Sequence, residues 1–152
     1  MVNGNDIVNY AKNFLGVPYV FGGTSPSGFD CSGFVQYIYK HFGINISRTT
    51  KTQINDGVEV GRNDLQPGDL VFTSNSHVTL YIGNNLLIHA PQPGEKVLFG
   101  EPEEFYQTLR LQLHNQVPKI HLLIILIIQI LENSIFILQQ AYIKQVKHSH
   151  LQ

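Results

Sequence analysis

The hydrophobic period of this chain changes from helix to strand near Leu65, and that change limits the folds open to the part before the C-terminal tail. Up to Asp56 apolar residues recur at helical spacing; beyond Leu65 they come in short runs or alternate. Helices followed by an antiparallel meander make an α+β fold. The first helix is expected to take Asn5 or Asp6 as its cap and to run to about Leu15, with Ile7, Val8, Tyr10, Ala11, Phe14 and Leu15 as its apolar stripe. A second helix begins at Cys31 and buries Phe34, Val35, Ile38 and Phe42 before Gly43 stops it. A short helix over residues 50–56 takes Ser47 or Thr49 as its cap. Strands are expected at 70–72, 77–82, 86–90 and 97–99, a helical turn within 101–108, and a closing strand through Leu109, Leu111 and Leu113.

The C-terminal part reads differently. Glycine stops at Gly100 and aspartate at Asp69, and from Lys119 onward the chain is mostly isoleucine, leucine and glutamine. A membrane-spanning helix needs about 20 mostly apolar residues. Residues 120–138 come near that length, but Gln129, Glu132, Asn133 and Ser134 interrupt them, each costly in lipid. The favoured reading is a helix packed on the body or on a second copy. A membrane helix and a non-native extension of the reading frame are the alternatives. The expected division is a domain over 1–114 and an apolar helical tail over 115–152.

The only cysteine lies in Phe29-Asp30-Cys31-Ser32-Gly33-Phe34-Val35, after a loop rich in glycine and proline. A lone cysteine is more often a small buried hydrophobe than a nucleophile. Here it stands at the first turn of a helix, where unpaired N–H groups and the macrodipole favour an anion. The thiolate is the nucleophilic form of cysteine. Of seven histidines, His41 reads as a solvated helix end, and His114, His121, His148 and His150 fall in or near the tail. His77 and His89 remain, both on the expected hairpin. A strand histidine taken singly is more often structural, so their spacing matters. If the hairpin is centred on Gly83, His77 lies directly opposite His89, with Cβ atoms about 5 Å apart. That requires an odd loop over Ile82, Gly83 and Asn84. A two-residue loop at Gly83 and Asn84 would put the pair on opposite faces. In the odd-loop register His77, Thr79 and Tyr81 share one face, and Val78, Leu80 and Ile82 face the core. His77 then takes the proton of Cys31, and His89 fixes the tautomer of His77. A zinc reading of Cys31, His77 and His89 is set aside: no fourth ligand stands out and the spacing matches no common zinc motif.

At this point the chain resembles the NlpC/P60 family of cell-wall cysteine peptidases. The matching pieces are Leu15-Gly16-Val17-Pro18-Tyr19-Val20-Phe21-Gly22-Gly23, the run at Cys31, Ser47-Arg48-Thr49-Thr50 with Gln53, Leu65-Gln66-Pro67-Gly68-Asp69-Leu70-Val71-Phe72, and His77-Val78-Thr79-Leu80-Tyr81-Ile82-Gly83 with Ile88-His89-Ala90-Pro91. The resemblance covers about residues 5–99. It implies a papain-like fold with the nucleophile at a helix start against a sheet that bears the histidines. It implies hydrolysis of peptidoglycan stem peptides, typically between D-γ-glutamate and the diamino acid. It makes Cys31 the nucleophile, His77 the base, His89 the third polar residue and Tyr19 a donor near the oxyanion. By the same resemblance Asp30 and Ser32 receive the amine end of the stem. Three features depart from the family pattern. Phe21 stands where many members have tryptophan; Thr79 replaces a small residue and is expected to crowd the cleft; Leu109-Arg110-Leu111 only weakly echoes the usual closing strand.

The bulk numbers set further bounds. With 152 residues, one domain is the default and a core needs no disulfide. Formal charge is -1 with no block of lysine and arginine, so no nucleic-acid partner is expected. No metal or cofactor is implied. The N-terminus has neither a basic region nor a long apolar stretch, so it is not read as a signal peptide. A role in the cell wall, outside the cell or on a phage virion would then use another export route, host lysis or a longer parent chain. Two other readings are a non-catalytic wall-binding or phage-tail module with the same fold, and acyl transfer or amidase work on another γ-glutamyl compound.

Overall fold

The computed structural model describes residues 1–103, 105–111 and 119–149. Helix α1 is Gly4–Lys12, and its cap is Asn3, earlier than expected. The Asn3 side chain accepts from the Asp6 N–H at 3.1 Å, and the Asp6 carboxylate accepts from the Asn3 N–H at 2.9 Å. Asp6 is therefore the reciprocal partner in a capping box. The helix also ends before Leu15, which is exposed. Strands β1 (Thr24–Ser25) and β2 (Gly28–Phe29) form a two-stranded hairpin leading into α2, Cys31–His41. Phe42 is the C-cap of α2, and Gly43 follows at φ +77°. Helix α3 is only Thr50–Gln53. Asp56, expected within it, instead accepts from the Ser47 N–H and hydroxyl at 2.6 and 2.9 Å, so Ser47 is not a cap.

The remaining strands are β3 (Val58–Glu59), β4 (Leu70–Ser74), β5 (His77–Gly83), β6 (Leu86–His89), β7 (Leu98–Gly100) and β8 (Gln107–Arg110). They form one antiparallel sheet in the order β3-β8-β4-β5-β6-β7. The expected meander is β4 to β7. The expected helical turn within 101–108 is overturned at its end: Tyr106 N–H donates to Phe72 O, and Gln107 and Thr108 pair with Phe72 and Val71. Strand β8 thus covers the other edge of β4 and buries Leu109, with Leu111 just beyond it. Leu113 and His114, expected at the end of this strand, lie outside the described residues.

Helix α2 packs Phe34, Val35 and Ile38 against Leu70, Phe72, Val78, Leu80 and Ile88 of the sheet, all fully buried. Tyr39 is also buried, and its hydroxyl donates to Gly68 O. This packing fixes the start of α2 against the start of β5.

The β5–β6 hairpin corrects the expected register. Leu80 faces Ile88 and Tyr81 faces Leu87, which continues to place Thr79, not His77, across from His89. The turn is Asn84 and Asn85, both at positive φ (53° and 58°), the pattern of a two-residue type I′ loop. Gly83 pairs with Leu86, so the register shifts by one between Tyr81 and Gly83. This bulge decides the geometry. A two-residue loop alone would send His77 and His89 to opposite faces; the extra residue restores the parity and returns them to one face. They lie diagonally, within reach of long side chains. Val78 and Leu80 face the core as expected, while Ile82, at the bulge, is only partly buried.

The chain forms two compact units that divide after Leu113. The expected boundary, between 114 and 115, lies outside the described residues. The second unit contains α4, Lys119–Ser149, whose large apolar side chains from Ile124 to Ile143 are exposed.

Candidate active site

The site is assembled at the first turn of α2. Asp30 is the N-cap: one carboxylate oxygen accepts from the Gly33 N–H at 2.6 Å, the other from the Gly22 N–H at 3.0 Å. Gly33 is needed for close approach, because a Cβ there would stand 2.0 Å from the Gly23 carbonyl oxygen. The loop therefore closes down on the helix start and places Cys31 at its first position. The Cys31 Sγ has two polar neighbours, the Thr50 hydroxyl and the Ser76 carbonyl oxygen, each at 3.8 Å. Ser76 immediately precedes His77, so the thiol lies at the mouth of β5.

His77 Nε2 and His89 Nδ1 are 2.8 Å apart. One ring nitrogen must donate and the other accept. Burial lowers the pKa of His77; burial and then the neighbouring His77 push that of His89 down to about 4. Both rings are thus held neutral at neutral pH. Gly100 makes room for His89, since a Cβ there would meet His89 Nε2 at 3.0 Å. A cavity of about 360 Å³ adjoins the pair and is lined by Thr73, His77, Thr79, Leu87, His89, Glu101 and Glu103.

Known proteins share this arrangement of sequence and fold. Residues 16–115 match the NlpC/P60 family. The chain belongs to that family. A γ-D-glutamyl-L-lysine dipeptidyl-peptidase of Bacillus cereus is 44% identical over 100 residues, 61% of this chain and 30% of that protein. A γ-DL-glutamyl hydrolase of Bacillus subtilis is 41% identical over 108 residues, 66% of this chain and 26% of that protein. This chain thus spans less than a third of the length of either curated relative. The crystal structure of the NlpC/P60 domain of the peptidoglycan hydrolase SagA superposes with a TM-score of 0.69 at 38% identity, covering 72% of this chain and all of that one.

Within this NlpC/P60 domain the other expected residues have distinct placements. Tyr19 is partly buried beside the helix start; burial raises its pKa, the nearby Cys31 and Asp30 add to the rise, and Arg48 opposes it. Its hydroxyl therefore keeps its proton. Asp30 and Ser32 are joined to each other at 3.3 Å and both to Arg48. Arg48 grips Asp30 with two nitrogens, at 3.0 and 2.7 Å, and Ser32 Oγ at 2.8 Å. Burial raises the Asp30 pKa, but Arg48 and the Gly33 and Gly22 N–H groups overcome it and hold the carboxyl below its ordinary range. With this many donors the Asp30 carboxylate is first a cap and an ion-pair partner. Thr79 does share the histidine face, yet it is fully buried and its hydroxyl donates to Val71 O at 2.9 Å. It fills space between strands. Phe21 is exposed on the loop before the helix.

Arg48, Thr50 and Gln53 were legible only as letters of a family motif; their spacing from Cys31 carries no signal of contact. Gln53 is fully buried and donates to the carbonyls of Ser32 (2.9 Å) and Ser47 (2.8 Å). It ties the segment that carries Arg48 and Thr50 to the first turn of α2.

Proposed function

We propose that this chain is a cysteine endopeptidase that cleaves peptidoglycan stem peptides between D-γ-glutamate and the diamino acid. The observation that carries the reading is the partly buried histidine pair, His77 at the start of β5 bonded to His89 of β6, with His77 one residue from the carbonyl that touches the Cys31 thiol. The names of relatives as a γ-D-glutamyl-L-lysine dipeptidyl-peptidase and a peptidoglycan hydrolase support the substrate class.

In this mechanism His77 Nε2–H donates to His89 Nδ1, which leaves His77 Nδ1 as the base. His77 Nδ1 takes the Cys31 proton, and Sγ attacks the γ-glutamyl carbonyl carbon. The imidazolium that forms is steadied by its bond to the neutral His89 ring. Charge on the carbonyl oxygen is met by N–H groups at the start of α2 and by the Tyr19 hydroxyl. The tetrahedral species collapses as the C–N bond breaks and His77 returns the proton to the leaving amine. Water, deprotonated by His77, then attacks the thioester and frees Cys31. The amine end of the stem is received beside Asp30 and Ser32, whose side chains are held by Arg48. Its place of action under this reading is the cell wall, the outside of the cell or a phage virion.

The test is mass spectrometry of muropeptides, and of a synthetic L-Ala-D-γ-Glu-diamino-acid peptide, with the wild type and Cys31→Ala. Cleavage after D-γ-glutamate that vanishes in the variant is expected. A folded protein that cleaves neither substrate, and whose Cys31 alkylates no faster than a free thiol, would mark it as a binding module. Cleavage of other γ-glutamyl compounds alone would place it beside the γ-DL-glutamyl hydrolase relative.

A further inference from the structure

We propose that α4 pairs with α4 of a second copy of this chain as a parallel two-stranded coil. The helix leaves its apolar side chains uncovered: Ile124 is 44% exposed, Leu131 55% and Leu138 69%. Its polar residues are not scattered. Ile124, Ile128, Leu131, Ile135, Leu138 and Tyr142 follow one another in alternating steps of four and three residues, an unbroken apolar lane. Every other lane with that step meets Gln129, Glu132, Asn133 or Ser134 within the same span. A bilayer surrounds a helix on all sides and gives no reason to spare one lane; a partner helix does. The 23 residues from Ile124 to Val146 have the length and mean hydropathy of a membrane span. Glu132, Asn133 and Ser134 would then sit near mid-bilayer, where polar groups are costliest.

The residue types along the lane also indicate the partner. Ile128 and Ile135, with Tyr142 at the end, occupy the a positions of the heptad, and Leu131 and Leu138, with Ile124 at the start, the d positions. β-Branched residues at a with leucine at d favour two parallel strands. Tyr142 and Ile124 close the two ends of the lane. Covering the lane and its flanks on both copies removes on the order of 1,200 Å² from water, the lower range for a specific interface. Glu132 is the only ionisable carboxylate between Ile124 and Lys144, and it lies outside the lane, so parallel copies do not bury like charges in the seam.

The test is sedimentation equilibrium of the full chain without detergent. The wild type is expected to dimerise. Leu131→Glu with Leu138→Glu should weaken the dimer at least tenfold. Ile130→Glu with Ile137→Glu, the same chemical change off the lane, should leave it within about threefold. Monomer at every concentration, a larger species, or equal loss in both variants would overturn the proposal. A second measurement does not depend on the glutamate variants folding. In a Cys31→Ser background, Leu138→Cys should join two copies under mild oxidation at least tenfold faster than Gln140→Cys. Equal rates would refute the parallel seam. Flotation with phosphatidylglycerol–phosphatidylcholine vesicles that both glutamate variants lose alike would assign α4 to lipid instead.

Discussion

The body of the chain and helix α4 draw on the same apolar side chains and treat them in opposite ways. In the body, Phe34, Ile38, Phe72 and Leu80 are wholly out of water, because glycines, turns and alternating polar residues bend the chain back on itself. In α4 there is neither glycine nor proline between Lys119 and Ser149, and the isoleucines and leucines from Ile124 onward stay exposed. Apolar content alone therefore does not bury a residue. Burial needs punctuation that brings a second surface to meet it.

The sharpest way to break this comparison is to truncate one residue of each kind. Phe72→Ala should cost about 3–5 kcal/mol of body stability, whereas Ile137→Ala in α4 should change it by less than about 0.5 kcal/mol, both read from denaturant midpoints. Equal costs would mean that α4 is part of the core. Next, Gly33→Ala should cost about 3 kcal/mol, because its Cβ meets the backbone of Gly23 rather than a side chain that can turn away. Glycine-free α4 offers no comparable position.

Acid should separate the regions too. Burial holds the folded pKa of His77 below the usual histidine value, and that of His89 at about 4, so the folded body binds fewer protons than the unfolded chain. The histidine contribution is intact above about pH 6.5 and is lost as pH falls towards 4, by about 2 kcal/mol after discounting for partial solvent access. Asp30, whose folded pKa is depressed, extends the loss below its ordinary carboxylate range. Denaturation at pH 7.5 and 4.5 should show this slope in the wild type and a flatter one in His89→Gln. A smaller loss within the body is expected for Arg48→Ala, about 1 kcal/mol, since its side chain is 36% exposed and Asp30 keeps its backbone donors. A change in KM for stem peptide larger than the change in stability would tie that pair to substrate.

What could be read from the sequence follows the same division. Helix α2 and strand β5 were legible because their apolar residues keep one period, and strands β4 and β6 because theirs form short unbroken runs. The sharing of a face by His77 and His89 was legible too, though for a reason that proved incomplete. Gly83, Asn84 and Asn85 can each adopt positive φ, so the sequence leaves the turn free to sit one residue either way. Only the cross-strand pairing fixes it at Asn84 and Asn85 and adds the bulge. The cap of α1 was misplaced because Asp6 is as good a cap as Asn3, and the reciprocal bond between them decides. Arg48 was legible as a letter of the family motif but its contact with Asp30 was not, because an ion pair spanning 18 residues leaves no mark in local spacing.

The bulge before Gly83 makes hairpin length a quantity inherited modulo two. Lengthening or shortening this hairpin by one residue on either side of the turn would swing His77 away from His89, while a change of two would preserve their meeting. Among descendants of this chain, insertions and deletions between these histidines should accumulate in even numbers if the proposed chemistry is kept, and an odd one should mark a lineage that has lost the pair or rebuilt its turn.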